Sequence, residues 1–234
     1  MSGLITGIVD IHNADGVCDL KKFKELDGGV LFISKATEGG DFVDKGFAKT
    51  MPRLKAEGIL SGLYHFGNRK TAVAKQVQNF LKQVEPFPEA TLMLDCETNV
   101  NKRTGEDNTM SFEQAAEFCE LVQKETGRFP LFYTYESMLF SCMAKASPET
   151  RTKLGRSPLF IAKYGPPPKA MPESWGAWKD WSLWQYSSSV ENGPSNKAKY
   201  PRGFKSFART SQDRSCFRGT LEDLQLFWKT CGLP

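Results

Sequence analysis

A chain of 234 residues with 40% hydrophobic and 25% charged content has an ordinary globular composition and is long enough for one large domain. Its 31 Lys and Arg against 27 Asp and Glu leave a net charge of +4, spread along the chain, which excludes a dedicated nucleic-acid binder. No apolar run reaches the length of a membrane span, and six widely spaced cysteines beside two histidines argue against a zinc site.

The first residues, Met1 to Gly7, carry no basic segment followed by an apolar stretch of signal-peptide length. The expectation is a chain that is cytoplasmic at synthesis, with mostly reduced thiols. Short β-branched and aromatic runs then recur every 25 to 35 residues, roughly the spacing of βα units and too wide for hairpins. They are Leu4 to Ile11, Val30 to Lys35, Ile59 to Phe66, Thr91 to Cys96, Phe129 to Thr134, Leu159 to Tyr164, Trp181 to Tyr186 and Ser211 to Phe217. Helical patterns fall between them over Asp44 to Glu57, Ala72 to Val84, Ser111 to Thr126, Tyr135 to Ala146 and Leu221 to Thr230. Ser111 with Gln114 reads as a capping box, and Gly127 stands where that helix should end. After the sixth run the pattern changes: Gly165 to Pro172 is too rich in proline for a helix, and Ser187 to Thr210 reads as a long polar loop. The prediction is a single α/β domain over residues 1–234, an irregular TIM-like (β/α) barrel with eight strands and fewer than eight helices.

In a parallel barrel the site forms at the carboxyl ends of the strands. Asp10 ends the first run, Glu38 follows the second, His65 ends the third, and Asp95 and Glu97 end the fourth. Residues two apart on a strand point the same way, so these last two acids should face one cleft. Tyr133 and Tyr135 end the fifth run, Lys163 and Tyr164 the sixth, Trp184, Gln185 and Tyr186 lie on the seventh, and Asp213 lies on the eighth. Crowded carboxylates raise one another's pKa values, which keeps a proton available near neutrality. Aromatic faces pack against the C–H faces of a sugar. Together these residue types point to glycoside hydrolysis, a reaction that needs no metal or other cofactor here.

The ordered stretches Phe32-Ile-Ser-Lys-Ala-Thr-Glu-Gly39, Asp44 to Phe47, Gly62-Leu-Tyr-His-Phe66, Leu94-Asp-Cys-Glu97, Pro130-Leu-Phe-Tyr133, Trp184-Gln-Tyr186 and Asp213 to Gly219 carry a resemblance. Over Gly7 to about Phe227 the chain resembles the glycoside hydrolase family 25 lysozymes, the Chalaropsis-type muramidases. The resemblance implies an irregular eight-stranded barrel and cleavage of the β-1,4 bond between N-acetylmuramic acid and N-acetylglucosamine in bacterial peptidoglycan. It implies Glu97 as general acid and Asp95 as its partner, with Asp10 and Asp213 as supporting carboxylates that bind substrate. Asp95 has two open roles: acting on the developing oxocarbenium ion directly, or orienting the acetamido group of the substrate as the nucleophile, which the short Asp-x-Glu spacing favours. Wall-lytic chemistry without a signal segment suits a monomeric phage endolysin that meets the wall after release, or an effector exported by dedicated machinery. The chain departs from the family at His12, where a small hydroxyl residue is usual, and in the basic loop holding Lys197, Lys199, Arg202, Lys205 and Arg209.

Plainer readings stand beside these. Lys35 and Glu38 can pair with each other, against a substrate-side role for Glu38. His65, between Tyr64 and Phe66, reads as a satisfied structural histidine, Cys96 as outer-face packing, and Arg214 and Arg218 as ion-pair partners. Trp175, Trp178 and Trp181 read as core, whereas Tyr64, Tyr133, Tyr164 and Trp184 are candidates for sugar contacts. The competing functions are a catalytically inactive wall-glycan-binding barrel and a hydrolase of another hexosaminide polymer such as chitin.

Overall fold

The computed structural model describes residues 3–12, 18–169, 175–187 and 213–231. In chain order it contains β1 (Leu4–Ile11), α1 (Leu20–Asp27), β2 (Leu31–Glu38), β3 (Phe42–Val43), α2 (Phe47–Glu57), β4 (Leu60–Phe66), α3 (Val73–Val84), β5 (Thr91–Asp95) and α4 (Phe112–Thr126). There follow β6 (Leu131–Tyr135), α5 (Glu136–Met143), α6 (Pro148–Leu154), β7 (Leu159–Ala162), β8 (Leu183–Ser187), β9 (Asp213–Arg218) and α7 (Leu221–Thr230). The basic loop expected over Ser187 to Thr210 lies outside the described residues beyond Ser187. None of the described helices is long and apolar enough to cross a membrane.

The strands run in the order β1-β9-β8-β7-β6-β5-β4-β2-β3, and a parallel β1–β2 pairing closes the first eight positions into a barrel. β3 is a short addition outside the ring, held to β2 by Thr37 opposite Val43 and Glu38 opposite Phe42. The barrel is mixed, which corrects the all-parallel expectation: β9 pairs antiparallel with both β1 and β8. That reversal has a consequence for the site. Asp213 lies at the amino end of its strand, and because the strand is inverted this end shares a rim with the carboxyl ends of the others.

Alternation divides the side chains into two layers. Ile8, Leu31, Ile33, Met93, Leu131, Phe160, Leu183 and Phe217 form a buried cluster that fills the barrel interior. Trp228 of α7 belongs to that cluster, donating from Nε1 to the Ser61 carbonyl at 2.8 Å and accepting at its own carbonyl from Thr91 Oγ1 at 3.0 Å. Since Ser61 and Thr91 open β4 and β5, α7 closes the end of the barrel opposite the acids. Gly62 lets α7 and the barrel approach closely: a Cβ there would stand 3.0 Å from the Trp228 ring and 3.2 Å from Ile33, tighter than ordinary packing.

The outer layer packs the sheet against the helices through Phe32, Leu63, Leu94, Cys96, Phe118, Phe132 and Ile161. Where helices are sparse, aromatic side chains take their place, as expected for Trp175, Trp178 and Trp181. Trp178 stacks on Phe132 with centroids 5.5 Å apart and planes 4° from parallel. The expected capping box is present at Ser111 and Gln114, and Gly127 ends α4 in the left-handed conformation at φ 77°. Three short elements went unpredicted: α1, α6 and β3.

Candidate active site

The closed barrel brings acids from three walls to one rim. Asp10 is the cross-strand partner of Asp213. Asp95 ends β5 opposite Phe66 of β4 and Tyr133 of β6. Glu97 follows two residues later, half-buried, while Asp95 is only 7% exposed. Cys96 between them is fully buried in the outer layer, its thiol 3.6 Å from the Met110 carbonyl, so it packs and does not face the cleft.

These four carboxylates feel one another. Burial, and after it the charge of Asp213, pushes the Asp10 carboxyl well above the usual carboxylate range. Burial also raises Asp95 well above that range, followed by the charges of Glu97 and Asp10, with Lys35 opposing. Glu97 is raised by burial and then by Asp213, again with Lys35 pulling it down. Asp10, Asp95 and Glu97 therefore retain protons to higher pH than isolated carboxylates. One oxygen of Asp95, Oδ1, is buried without a hydrogen-bond partner, an unfavourable environment for a full negative charge.

Lys35 on β2 sits beside this cluster and was read from the sequence only as a partner of Glu38. Its ammonium is 2.6 Å from Glu38 Oε2 and lies 4.9 Å and 5.3 Å from the ring centroids of Phe66 and Phe42. The Glu38 carboxylate is thus engaged by Lys35 at the edge of the site, and a substrate contact would have to share it with that ion pair.

Gln185 on β8 was passed over among the aromatics beside it, yet it connects the site. Its Nε2 donates to both oxygens of Asp10 at 3.1 and 3.2 Å. Its Oε1 accepts from the hydroxyls of Tyr133 at 3.0 Å and Tyr164 at 2.9 Å. Tyr64 and Tyr133 line the same interior, and burial pushes both phenols well above their usual range, so each keeps its proton. Tyr164 is 42% exposed and presents ring surface to solvent at this rim.

Trp184 is not brought to the site. Alternation along β8 turns it to the face opposite Gln185, where it is 3% exposed, packs against Trp181 and Tyr186, and donates to the Lys163 carbonyl at 2.7 Å. A sugar contact from that position is excluded by burial. His65 is likewise structural. It is fully buried, bonded to Thr37 Oγ1 at 2.8 Å and Gln76 Oε1 at 3.2 Å, and stacked on Phe118 with ring centroids 5.0 Å apart. Arg214 and Arg218 pair with Asp27 and Asp180.

The sequence model of Glycosyl hydrolases family 25 matches residues 9–193, which includes Asp10, Asp95 and Glu97 but stops short of Asp213. An uncharacterized protein of Escherichia coli strain K12, YegX, is 25% identical over 201 residues, covering 82% of this chain and 61% of its own length. The chain thus spans less than two thirds of that relative. An N,O-diacetylmuramidase of Arthroderma benhamiae is 23% identical over 209 residues, covering 86% of this chain and 78% of the relative. The fold is shared with the bacterial lysozyme from Streptomyces coelicolor at a TM-score of 0.73 and 21% identity, over 98% of both chains. A match extending over most of its length makes this chain a member of glycosyl hydrolases family 25.

Proposed function

We propose that the chain is a muramidase, cleaving the β-1,4 bond between N-acetylmuramic acid and N-acetylglucosamine in peptidoglycan. The observation that carries this reading is the meeting of Asp10, Asp95, Glu97 and Asp213 at one rim, with Glu97 the half-buried member of the Asp95-Glu97 pair. Glu97 holds a proton to higher pH than a free glutamate and is open enough to deliver it to a glycosidic oxygen. Asp95, deeper on the same strand end, faces the atoms that become positive as the leaving group departs. The reaction is retaining, with Asp95 orienting the acetamido group of the substrate as the internal nucleophile.

Asp10 and Asp213 hold substrate hydroxyls and shape the negative field that favours an oxocarbenium-like transition state. Tyr164 supplies ring surface to the sugar, Tyr64 and Tyr133 line the floor of the cleft beneath it, and Glu38 with Lys35 borders the cleft. The barrel acts as a single monomeric catalytic unit that reaches the wall after release from the cytoplasm or by dedicated export.

The decisive experiment digests purified sacculi with the wild type and with Glu97→Gln. The wild type is expected to release muropeptides with new muramic acid reducing ends, and the variant to lose about three orders of magnitude in rate with its melting transition intact. Undiminished release by Glu97→Gln would remove Glu97 from the mechanism. Release of chitin oligomers instead would move the substrate to another hexosaminide, and inversion at the anomeric carbon by NMR would end the retaining assignment.

A further inference from the structure

The donors and acceptors around Gln185 run in one direction. Two phenol hydroxyls from neighbouring strand ends donate into Oε1, and both Asp10 oxygens accept from Nε2. The amide crosses β9, which separates β8 from β1, and its residue is 1% exposed. Reversing the amide would turn its carbonyl toward the Asp10 carboxylate, two acceptors facing each other, unless Asp10 were protonated. With Nε2 assigned toward Asp10, the amide is matched to an ionised Asp10, and the reversed amide would be matched to a protonated one.

We propose that Gln185 is a positioning residue for the reaction: a one-way amide bridge that gathers the Tyr133 and Tyr164 hydroxyls and presents a strengthened N–H donor to Asp10, fixing that carboxylate opposite the acid pair. The physical basis is polarisation. Two donors on Oε1 draw electron density from the amide nitrogen, and the N–H bonds to Asp10 become stronger than those of an amide with a free carbonyl. Such a donor, with Ser215 as a smaller ally, opposes burial and the charges of Asp213 and Glu97, which favour the neutral form of Asp10. Among the described residues, the other charged or titratable groups of this interior are Asp95 on β5, Lys35 on β2 and Tyr64 on β4.

This inference rests on the muramidase reading for its kinetic consequences but has a readout independent of them. A ¹³C-carboxyl NMR titration of the Asp10 side chain, run on the wild type, Gln185→Leu, Tyr133→Phe and Tyr164→Phe, measures the effect without substrate. Gln185→Leu should move the Asp10 midpoint to higher pH, and each tyrosine variant should move it by less in the same direction. Adding Tyr133→Phe to Gln185→Leu should move it no further, because the hydroxyl acts only through the amide. Tyr164→Phe removes one oxygen from a residue 42% exposed, so it stays informative even if Gln185→Leu does not fold. In turnover, kcat/KM of Gln185→Leu should fall roughly tenfold or more at pH values where Asp10 is ionised in the wild type and still protonated in the variant. An unmoved Asp10 midpoint in Gln185→Leu and Tyr164→Phe would overturn the proposal whatever happens to activity. Failure of the wild type to hydrolyse sacculi, with the midpoint shifts present, would overturn the muramidase reading and leave the bridge standing.

Discussion

Asp10 and Asp213 stand directly opposite each other across the antiparallel β1–β9 ladder, a like-charged cross-strand pair at the rim of the barrel. Such a pair opposes folding when both members are ionised, by about 0.2 to 1 kcal/mol. Burial and Asp213 raise the Asp10 carboxyl, and burial and Asp213 raise Glu97. A carboxyl whose folded pKa is raised contributes stability that is complete below its unfolded value and is lost as pH rises through the folded value. Asp213→Asn should therefore melt about as the wild type does near pH 4, and higher than the wild type at pH 7. Hydrolysis should fall in the same variant. Melting curves of both proteins from pH 4 to 8 check the first expectation, and a wild-type advantage at pH 7 would contradict it.

The buried imidazole of His65 works in the opposite direction. Burial pushes it down to about 4, so the folded state holds it neutral while the unfolded chain protonates. Its contribution is present above the unfolded value, near 6.5, and is lost as pH falls through about 4. Over that window the wild type should lose about 3 kcal/mol from this residue alone. His65→Asn should cost stability at pH 7 through its broken bonds to Thr37 and Gln76, yet show a flatter decline between pH 6.5 and pH 4. Urea unfolding at several pH values separates the two effects.

The barrel was readable because its eight runs recur at βα spacing and their β-branched and aromatic content has no helical period. Strand direction was not, since no local pattern in Asp213–Arg218 distinguishes a parallel from an antiparallel neighbour. Helix α1 had its markers, Asp19 capping Lys22 and left-handed Gly28, but its eight residues bury only Leu20 and Phe23, too few to show a period. The acids were found by position at strand ends. Gln185 was placed at the same rim but given no role, because all of β8 from Leu183 to Tyr186 is buried. When both faces of a strand are covered, hydrophobic alternation no longer says which one looks inward, and Trp184 drew the sugar-contact assignment that the geometry denies it.

Trp184 tests that correction directly. Trp184→Phe deletes the indole bond to the Lys163 carbonyl and leaves a gap beside Trp181 and Tyr186, which should cost about 2 kcal/mol. KM for a soluble glycan fragment should be unchanged. A severalfold rise in KM with stability preserved would instead return Trp184 to the substrate.

Lys35 gives the clearest handle on the acids as a group. Its ammonium lowers both Asp95 and Glu97 against burial, while being held by Glu38 and lying over the Phe66 and Phe42 rings. Lys35→Met keeps the length of the stem and removes the charge. Both carboxyls then hold their protons to still higher pH. If catalysis needs Asp95 ionised and Glu97 protonated, the acidic limb set by the first and the alkaline limb set by the second must both move upward. The expected result is a bell-shaped kcat/KM profile displaced as a whole to higher pH, with the rate below the wild-type optimum falling by about tenfold and the rate on the alkaline side rising. Glu38→Gln provides the contrast, since it breaks the same ion pair but leaves the ammonium beside the acids. If both variants shift the profile alike, Lys35 serves only to hold Glu38; if Lys35→Met alone shifts it upward, its charge sets the working pH of the Asp95 and Glu97 pair.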